Sequence, residues 1–80
     1  MLPIGGMSAL ARRIRDWRGK VPQVKACGRL GVSQATLSDW ENGLVVPADA
    51  ALRRMARVLR VPLALLLIEA SEAALARASL

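Results

Sequence analysis

The sequence predicts an all-α fold, a single bundle of five helices in a chain of 80 residues. Apolar residues make up 54% of the chain, mostly Ala and Leu, with two Trp and no Phe or Tyr, and this composition favours packed helices over sheet. The Val residues are scattered and do not alternate with polar residues, as they would in a half-buried strand. A chain of this length forms one domain near the lower size limit for an independent core.

Capping residues and apolar spacing place the first helix. Ser8 is a good N-cap. Leu10, Ile14 and Trp17 then follow at spacings of four and three residues, which puts them on one helix face. Gly19 ends the helix, because glycine adopts the left-handed backbone conformation of a helix C-terminus without steric strain.

The next two helices are short and lie close together in the sequence. Pro22 suits the first turn of a second helix, which runs to about Leu30 and is closed by Gly31. Ser33 caps a third helix over residues 34–41, and the dipeptide Asn42-Gly43 stops it.

Two longer helices complete the predicted bundle. The fourth runs from Ala48 or Asp49 to Leu59, and Pro62 interrupts the chain after it. The fifth starts near Leu63 and continues through the Ala-rich stretch to about Ala78. We therefore expect a flexible N-terminal tail over residues 1–7, a domain over 8–68 and a C-terminal helical tail over 69–80.

Charge is distributed unevenly along the chain. The net charge is +6, and residues 1–60 hold eleven of the twelve Lys and Arg but four of the six acids. The last twenty residues hold one basic residue against two acids and are otherwise largely apolar. This asymmetry indicates a polyanionic partner for the body of the domain and a protein partner for the tail.

Several classes of function lack support in the sequence. With one Cys and no His, the chain has no Cys/His metal site and no intrachain disulfide, so we expect neither metal nor cofactor. It has no phosphate-binding loop and no paired carboxylates, so we expect no enzyme. The apolar run from Val61 to Ile68 is much shorter than the ~20 residues that cross a bilayer, and the N-terminus does not resemble a signal peptide. We expect a cytoplasmic protein.

Five positions carry most of the functional information. Cys27, Gly31, Leu37 and Trp40 lie four, eight, fourteen and seventeen residues after Gln23. Two helices joined by a three-residue turn cross steeply, which requires a small residue at the crossing, a glycine in the turn and apolar anchors on the second helix. These residues meet each requirement, so the spacing predicts a helix-turn-helix.

From about Leu10 to Leu67 the chain resembles the phage repressor and Cro family, also called the xenobiotic-response-element family of bacterial regulators. The run Gly31-Val-Ser-Gln-Ala-Thr-Leu-Ser38, followed by Trp40-Glu-Asn-Gly43, is similar to the family's turn and recognition helix. The chain departs from the pattern in three ways: a link between helices 1 and 2 about two residues short, Cys27 in place of Ala, and Gly28 inside helix 2. The resemblance implies a five-helix, lambda-repressor-like fold and a bacterial or phage transcriptional regulator, acting as a repressor on the nucleoid.

In this reading, the segment 33–42 enters the major groove of double-stranded DNA. Gln34 is suited to a bidentate contact with adenine, and Ala35 to a thymine methyl group. Ser38 donates or accepts, and Asp39 either accepts from cytosine or is simply solvated. The expected base-reading residues are Ser33, Gln34, Ala35, Ser38 and Asp39.

A second group of residues is expected to contact phosphate. Such contacts fix the register of a protein on DNA without reading its sequence. Gln23 looks like the family's phosphate clamp, and the further candidates are Lys20, Lys25, Thr36 and Asn42. The resemblance also implies a structural ion pair between Arg18 and Glu41.

The apolar tail predicts a homodimer on a palindromic operator, because one recognition helix covers too few base pairs to select a site in a genome. We expect Leu63, Leu66 and Leu67 to complete the core and Glu69, Glu72 and Arg77 to lie at the interface rim. The expected interface residues are Leu65, Ile68, Ala73 and Leu75. Two alternatives remain open. The tail can fold back on its own domain, or the protein can be an antitoxin or adaptor whose tail binds a toxin or another partner protein.

Two clusters of arginine keep more than one interpretation. The cluster Arg12, Arg13 and Arg15 is either a solvated face of helix 1 or a phosphate contact. On helix 4, the sequence predicts a solvated face made of Arg53, Arg54, Arg57 and Arg60.

Overall fold

The computed structural model describes residues 8–78, and within that range the fold is all-α, with five helices and no strand. The helices are α1 (Ala9–Arg18), α2 (Gln23–Leu30), α3 (Gln34–Glu41), α4 (Asp49–Leu59) and α5 (Leu63–Ala78). The predicted all-α class and helix order are confirmed. The predicted flexible tail over residues 1–7 lies outside the described residues.

Local chemistry sets the helix ends where the sequence predicts them. The Ser8 hydroxyl accepts a hydrogen bond from the backbone N–H of Ala11 at 3.1 Å, which satisfies one of the free donors at the start of α1. Gly19, with φ of 56°, ends α1, and its N–H donates to the Arg15 carbonyl at 2.9 Å. Pro22 is the N-cap of α2 rather than its first residue.

The five helices close into a ring around one hydrophobic core. α3 packs against α1 and α2, α2 packs against α4, α4 against α5, and α5 against α1. Ile14, Leu37, Met55 and Leu66, from four different helices, are fully buried at its centre, and each such side chain contributes roughly 1.5–3 kcal/mol of transfer free energy. In the order of this ring, α2 lies between α3 and α4, and α1 lies between α3 and α5.

α5 is one continuous helix from Leu63 to Ala78, and its inner face belongs to the same core well beyond Ile68. Glu69, Ala70 and Ala73 are all buried. Ala73, expected at an interface between copies, is 8% exposed, so it packs inside its own domain. Leu67, expected in the core, is 42% exposed.

Two polar contacts of α5 differ from the expectation that Glu69 and Arg77 lie at the rim of an interface. Arg13 of α1 holds the Glu69 carboxylate with two hydrogen bonds of 2.8 Å, and Glu69 is 6% exposed. The Arg77 guanidinium donates to the Gly43 carbonyl at 2.9 Å, in the loop after α3. α5 is therefore tied to α1 and to the end of α3.

Arg60 occupies an unusual position for a residue with a side chain. It is the C-cap of α4 in the left-handed conformation, with φ of 59°, and it is the one non-glycine residue of 8–78 with positive φ. A left-handed backbone costs a residue with a Cβ roughly 1 kcal/mol or more relative to glycine. A residue other than glycine is thus held at this helix end against a steric cost.

We predict opposite effects of adding a methyl group at the two glycines of α2 and its turn. A Cβ at Gly28 meets no atom within 4 Å, so Gly28→Ala should raise the free energy of unfolding by about 1 kcal/mol, since alanine is the better helix former. At Gly31, φ is 70° and a Cβ would lie 2.8 Å from Arg54 Cζ, so Gly31→Ala should lower stability. Urea unfolding of both variants checks this; equal changes of one sign would contradict it.

Candidate nucleic-acid interface

The turn between α2 and α3 is built from Gly31, Val32 and Ser33. Gly31 takes the left-handed conformation, with φ of 70° and ψ of 32°. Its N–H donates to Gly28 O at 3.2 Å, and the Val32 N–H donates to Cys27 O at 3.1 Å, so the free carbonyls at the end of α2 are satisfied within the turn. Cys27 is buried at the helix crossing, and its Sγ donates to Val24 O at 3.2 Å.

α3 presents its first residues outward and anchors itself with later ones. Leu37 and Trp40 are buried, whereas Gln34 and Ala35 are exposed. The Gln34 side chain makes no hydrogen bond within residues 8–78, so both its amide donor and its acceptor are available to a ligand. Because side chains near the N-terminus of a recognition helix reach base edges in a major groove, this end of α3 is suited to reading DNA.

The remaining expected base-reading residues are partly engaged in the protein. The Ser33 hydroxyl caps α3: it accepts from the Thr36 N–H at 3.1 Å and donates to Thr36 Oγ1 at 3.0 Å. Ser38 and Asp39 are half-buried, and Ser38 Oγ accepts from Asn42 Nδ2 at 3.3 Å. Gln34 and Ala35 are therefore the two exposed candidates whose side chains make no hydrogen bond within residues 8–78.

The expected phosphate-contacting residues fall into two groups. Lys20 and Lys25 are exposed on either side of the start of α2, and neither forms an ion pair within residues 8–78. Gln23, at the first position of α2, is half-buried, and its Nε2 donates to Glu41 Oε1 at 3.2 Å. One of its two amide protons is thereby bound to Glu41, and the other remains available to a ligand.

The Glu41 carboxylate lies between three helices. Glu41 is 1% exposed. Arg18 of α1 holds it in a fork, with Nε 2.6 Å from Oε2 and Nη2 2.8 Å from Oε1, and Arg15 Nε lies 3.9 Å from Oε1. Arg18 Nη1 also donates to Val21 O at 3.0 Å. The ion pair expected between Arg18 and Glu41 is thus present in the structure, across the shortened link.

The electrostatics of this cluster follow from competing effects. Burial alone raises the pKa of the Glu41 carboxyl, but hydrogen bonds from Arg18 and Gln23, together with the charges of Arg18 and Arg15, outweigh burial and leave that pKa below its ordinary value. The Glu41 hydrogen bond in turn raises the pKa of Arg18. Glu41 is therefore ionised at neutral pH, when its bonds to Arg18 and Gln23 are strongest.

Sequence reasoning missed three of these polar contacts: Gln23 with Glu41, Arg15 with Glu41, and Arg13 with Glu69. A signal was present for the last of them. Glu69 follows Leu66 by three residues and precedes Ala73 by four, so helical periodicity places it on the inner face of α5. The other two contacts arise between helices, and no local pattern indicates them.

Residues 8–78 contain no group of three or more His, Cys, Asp or Glu side chains positioned to hold a metal ion. Within the same range, none of the helices combines the length and the apolar character needed to span a bilayer.

The fold and this surface define a helix-turn-helix DNA-binding domain. Consistent with this, the family model described as "Helix-turn-helix domain" matches residues 7–67. The chain belongs to this family, and its five helices form the lambda-repressor-like all-α fold that the sequence predicts. No curated protein and no solved structure is similar enough to the chain to match it.

We predict that Glu41 contributes stability that depends on pH. Because its pKa is lowered on folding, the contribution is complete above the unfolded value of about 4.3 and is lost as pH falls through the folded value. Glu41→Gln should destabilise the domain by about 3 kcal/mol at pH 7, since it leaves Arg18 without its partner.

Urea unfolding from neutral pH down to pH ~3 checks this prediction, because the difference between wild type and Glu41→Gln should shrink at acidic pH. Glu72→Gln is the matched control, since Glu72 is an exposed carboxylate of α5. The stability of Glu72→Gln should change with pH in the same way as that of the wild type. Parallel curves for wild type and Glu41→Gln across the range would contradict the assignment.

Proposed function

We propose that this protein is a sequence-specific regulator of transcription that acts as a repressor and reads a palindromic operator through the major groove. The observation that carries the proposal is the exposed N-terminal end of α3, where Gln34 and Ala35 point outward from a helix anchored by Leu37 and Trp40. The run from Gly31 to Gly43 supports placing it with the phage repressor and Cro-like regulators. The role needs no catalysis and no cofactor, and it belongs in the cytoplasm of a bacterium or on phage DNA.

Base readout in this proposal is concentrated at the start of α3. The free amide of Gln34 pairs with N6 and N7 of adenine, which discriminates against a wrong base by about 1–3 kcal/mol. Ala35 packs against a thymine methyl group. Ser38 and Asp39, one turn further along, read a neighbouring base with their remaining hydrogen-bonding capacity, while Ser33 mainly holds the helix start in place.

Phosphate contacts fix α3 in the groove. The second amide proton of Gln23 points to a phosphate oxygen, and its bond to Glu41 restricts its rotation before DNA arrives. Lys20 and Lys25 add charge at the same end of α2. Thr36 and Asn42 contact the backbone from the flanks of α3.

The outer face of α5 supports assembly into a homodimer. Ala64, Ile68, Ser71, Leu75 and Ala78 follow one another at spacings of four, three, four and three residues and are all exposed. Ile68 is 58% and Leu75 67% exposed, and apolar residues at this spacing form the seam of paired helices. We call these five residues the α5 seam. Leu65, which the sequence also placed at the interface, is half-buried beside it.

The same α5 seam supports a second candidate function. An antitoxin or an adaptor with this fold would bind its toxin or other partner through an exposed apolar helix face, while α3 still contacts DNA. A dimer and such a heteromeric complex differ in whether the purified protein pairs with itself, so the mass of the protein in solution separates them.

Selection from a pool of randomised duplexes, followed by footprinting on the selected sequence, tests the proposal. We expect an enriched inverted repeat whose half-sites are about one helical turn apart, ~34–36 Å. An unenriched pool would contradict sequence-specific binding.

We predict that Gln34→Ala relaxes the choice of one base pair. Affinity for the selected operator should fall by about 1–3 kcal/mol, while affinity for random duplex changes little, since Gln34 contacts a base edge. Gel-shift titrations on both duplexes measure the two affinities.

Lys25→Ala is the control with the opposite pattern. It removes a phosphate contact, so it should weaken binding to both duplexes alike and reduce the slope of affinity against salt by about one. Equal losses of affinity for operator and random duplex in Gln34→Ala would show that Gln34 does not read a base as proposed.

We predict that Ile68→Lys yields a monomer, because it buries a charge at the centre of the α5 seam. Ala76→Lys is the matched control: Ala76 is exposed on α5 but outside the seam, and this variant should remain dimeric. Sedimentation equilibrium gives both masses. A wild type that is monomeric at high micromolar concentration, with and without operator, would exclude the homodimer and favour a heteromeric partner.

A further inference from the structure

The outer face of α4 is a dense patch of positive charge. Four of its last eight positions, counting the C-cap, are arginines, and all four are exposed. None forms an ion pair or a side-chain hydrogen bond within residues 8–78. These residues, the α4 arginine row, are Arg53, Arg54, Arg57 and Arg60.

Helical spacing brings two of these charges onto one face. Arg53 and Arg57 are four residues apart and lie opposite the buried Leu52 and Met55, and Arg60 follows at the C-cap, three residues beyond Arg57. Like charges at this spacing repel one another and destabilise an isolated helix. The single acid of α4, Asp49, does not pair with any of them.

The C-cap of α4 adds an independent observation. Arg60 extends the row at a left-handed position, with φ of 59°, where glycine is strongly favoured. Backbone strain of this kind indicates a function that opposes stability at that residue. Here the strained residue adds a fourth positive charge to arginines that already repel one another.

The α4 arginine row faces a different side of the bundle from the N-terminal end of α3. α3 lies between α1 and α2, whereas α4 lies between α2 and α5. Only Arg54 turns towards the helix-turn-helix, where its guanidinium group rests against Gly31. When α3 occupies a major groove, we therefore expect Arg53, Arg57 and Arg60 to lie outside that groove.

We propose that the α4 arginine row binds the phosphate backbone of a second segment of duplex DNA, so that one protein bridges two segments. The inference goes beyond the proposed function and rests on it for the binding of the first segment by α3. From Arg53 to Arg60 the row spans about 10 Å, a length over which a duplex presents about six phosphate charges.

Phosphate fits this surface better than an acidic protein does. Protein interfaces need a buried apolar centre, and no large apolar residue of α4 is exposed. The other exposed positions of the helix are Asp49 and Ala50. Backbone binding of DNA needs only cations, because it is driven by the release of counterions.

The test is the capture of a second duplex. Wild type is bound to saturation on an immobilised duplex, and a labelled duplex of random sequence is then added at increasing salt. The variant R53Q/R57Q/R60Q should still bind the immobilised duplex, whereas its affinity for the labelled duplex should fall roughly 500-fold at about 0.1 M salt, since three lost phosphate contacts lower the salt slope by about 2.7.

A variant with the same loss of charge elsewhere, R12Q/K20Q/K25Q, is the matched control. It should bind the immobilised duplex more weakly, yet once saturated it should capture the labelled duplex as the wild type does. Bridging through two α3 helices of a dimer is equally open to wild type and to R53Q/R57Q/R60Q, so a difference between them identifies α4.

Two results would overturn the inference: no capture by a wild type that binds the immobilised duplex, or undiminished capture by R53Q/R57Q/R60Q. Either would leave an acidic protein as the partner of the row. A wild type that does not bind the immobilised duplex at all would instead contradict the proposed function. Circular dichroism of each variant confirms that it is folded.

Discussion

The Glu41 carboxylate sets the position of α3. A negative charge at the C-terminal end of a helix is opposed by the helix dipole, and at 1% exposure it is also deprived of water. Within residues 8–78, the fork from Arg18, the nearby charge of Arg15 and the amide of Gln23 compensate for this. Since these partners come from α1 and from the start of α2, all three helices must keep one relative orientation for the charge to remain buried. The orientation of α3 relative to α1 and α2 is therefore held by a buried charge and its partners.

The same cluster includes Gln23, the proposed phosphate contact. Its amide is held by Glu41 at 3.2 Å, so part of its conformational entropy is lost during folding rather than on binding. In addition, Arg13 with Glu69 and Arg77 with Gly43 attach α5 to α1 and to the loop after α3. In a dimer formed through the α5 seam, the spacing of the two α3 helices would thus be set by rigid connections rather than by a hinge.

The helices could be predicted from the sequence because their signals are local. Ser8, Ser33, Gly19 and Gly31 cap or end helices through their own hydrogen bonds and backbone freedom, and the structure places helix ends beside each of them. The inner face of α5 was harder to predict from the sequence, since Ala and Leu occupy every side of that helix. Which of them is buried depends on where α1 and α4 lie. Ala73 and Leu67 were consequently assigned to the wrong faces.

The paired and unpaired arginines divide the positive charge between stability and attraction. On α1, Arg13 and Arg18 are bound to buried carboxylates, so their charge is largely neutralised within the domain and contributes little to a distant DNA molecule. Of the α1 cluster that was open to either interpretation, Arg13 pairs with Glu69 and Arg15 lies 3.9 Å from Glu41, whereas Arg12 is exposed and forms no ion pair within residues 8–78. Long-range attraction then has to come from the cations that form no ion pair within residues 8–78, among them Lys20 and Lys25 beside α2 and the arginine row on α4. Two separate positive surfaces, one next to the reading helix and one away from it, attract a polyanion from two directions, and a single groove satisfies only the first.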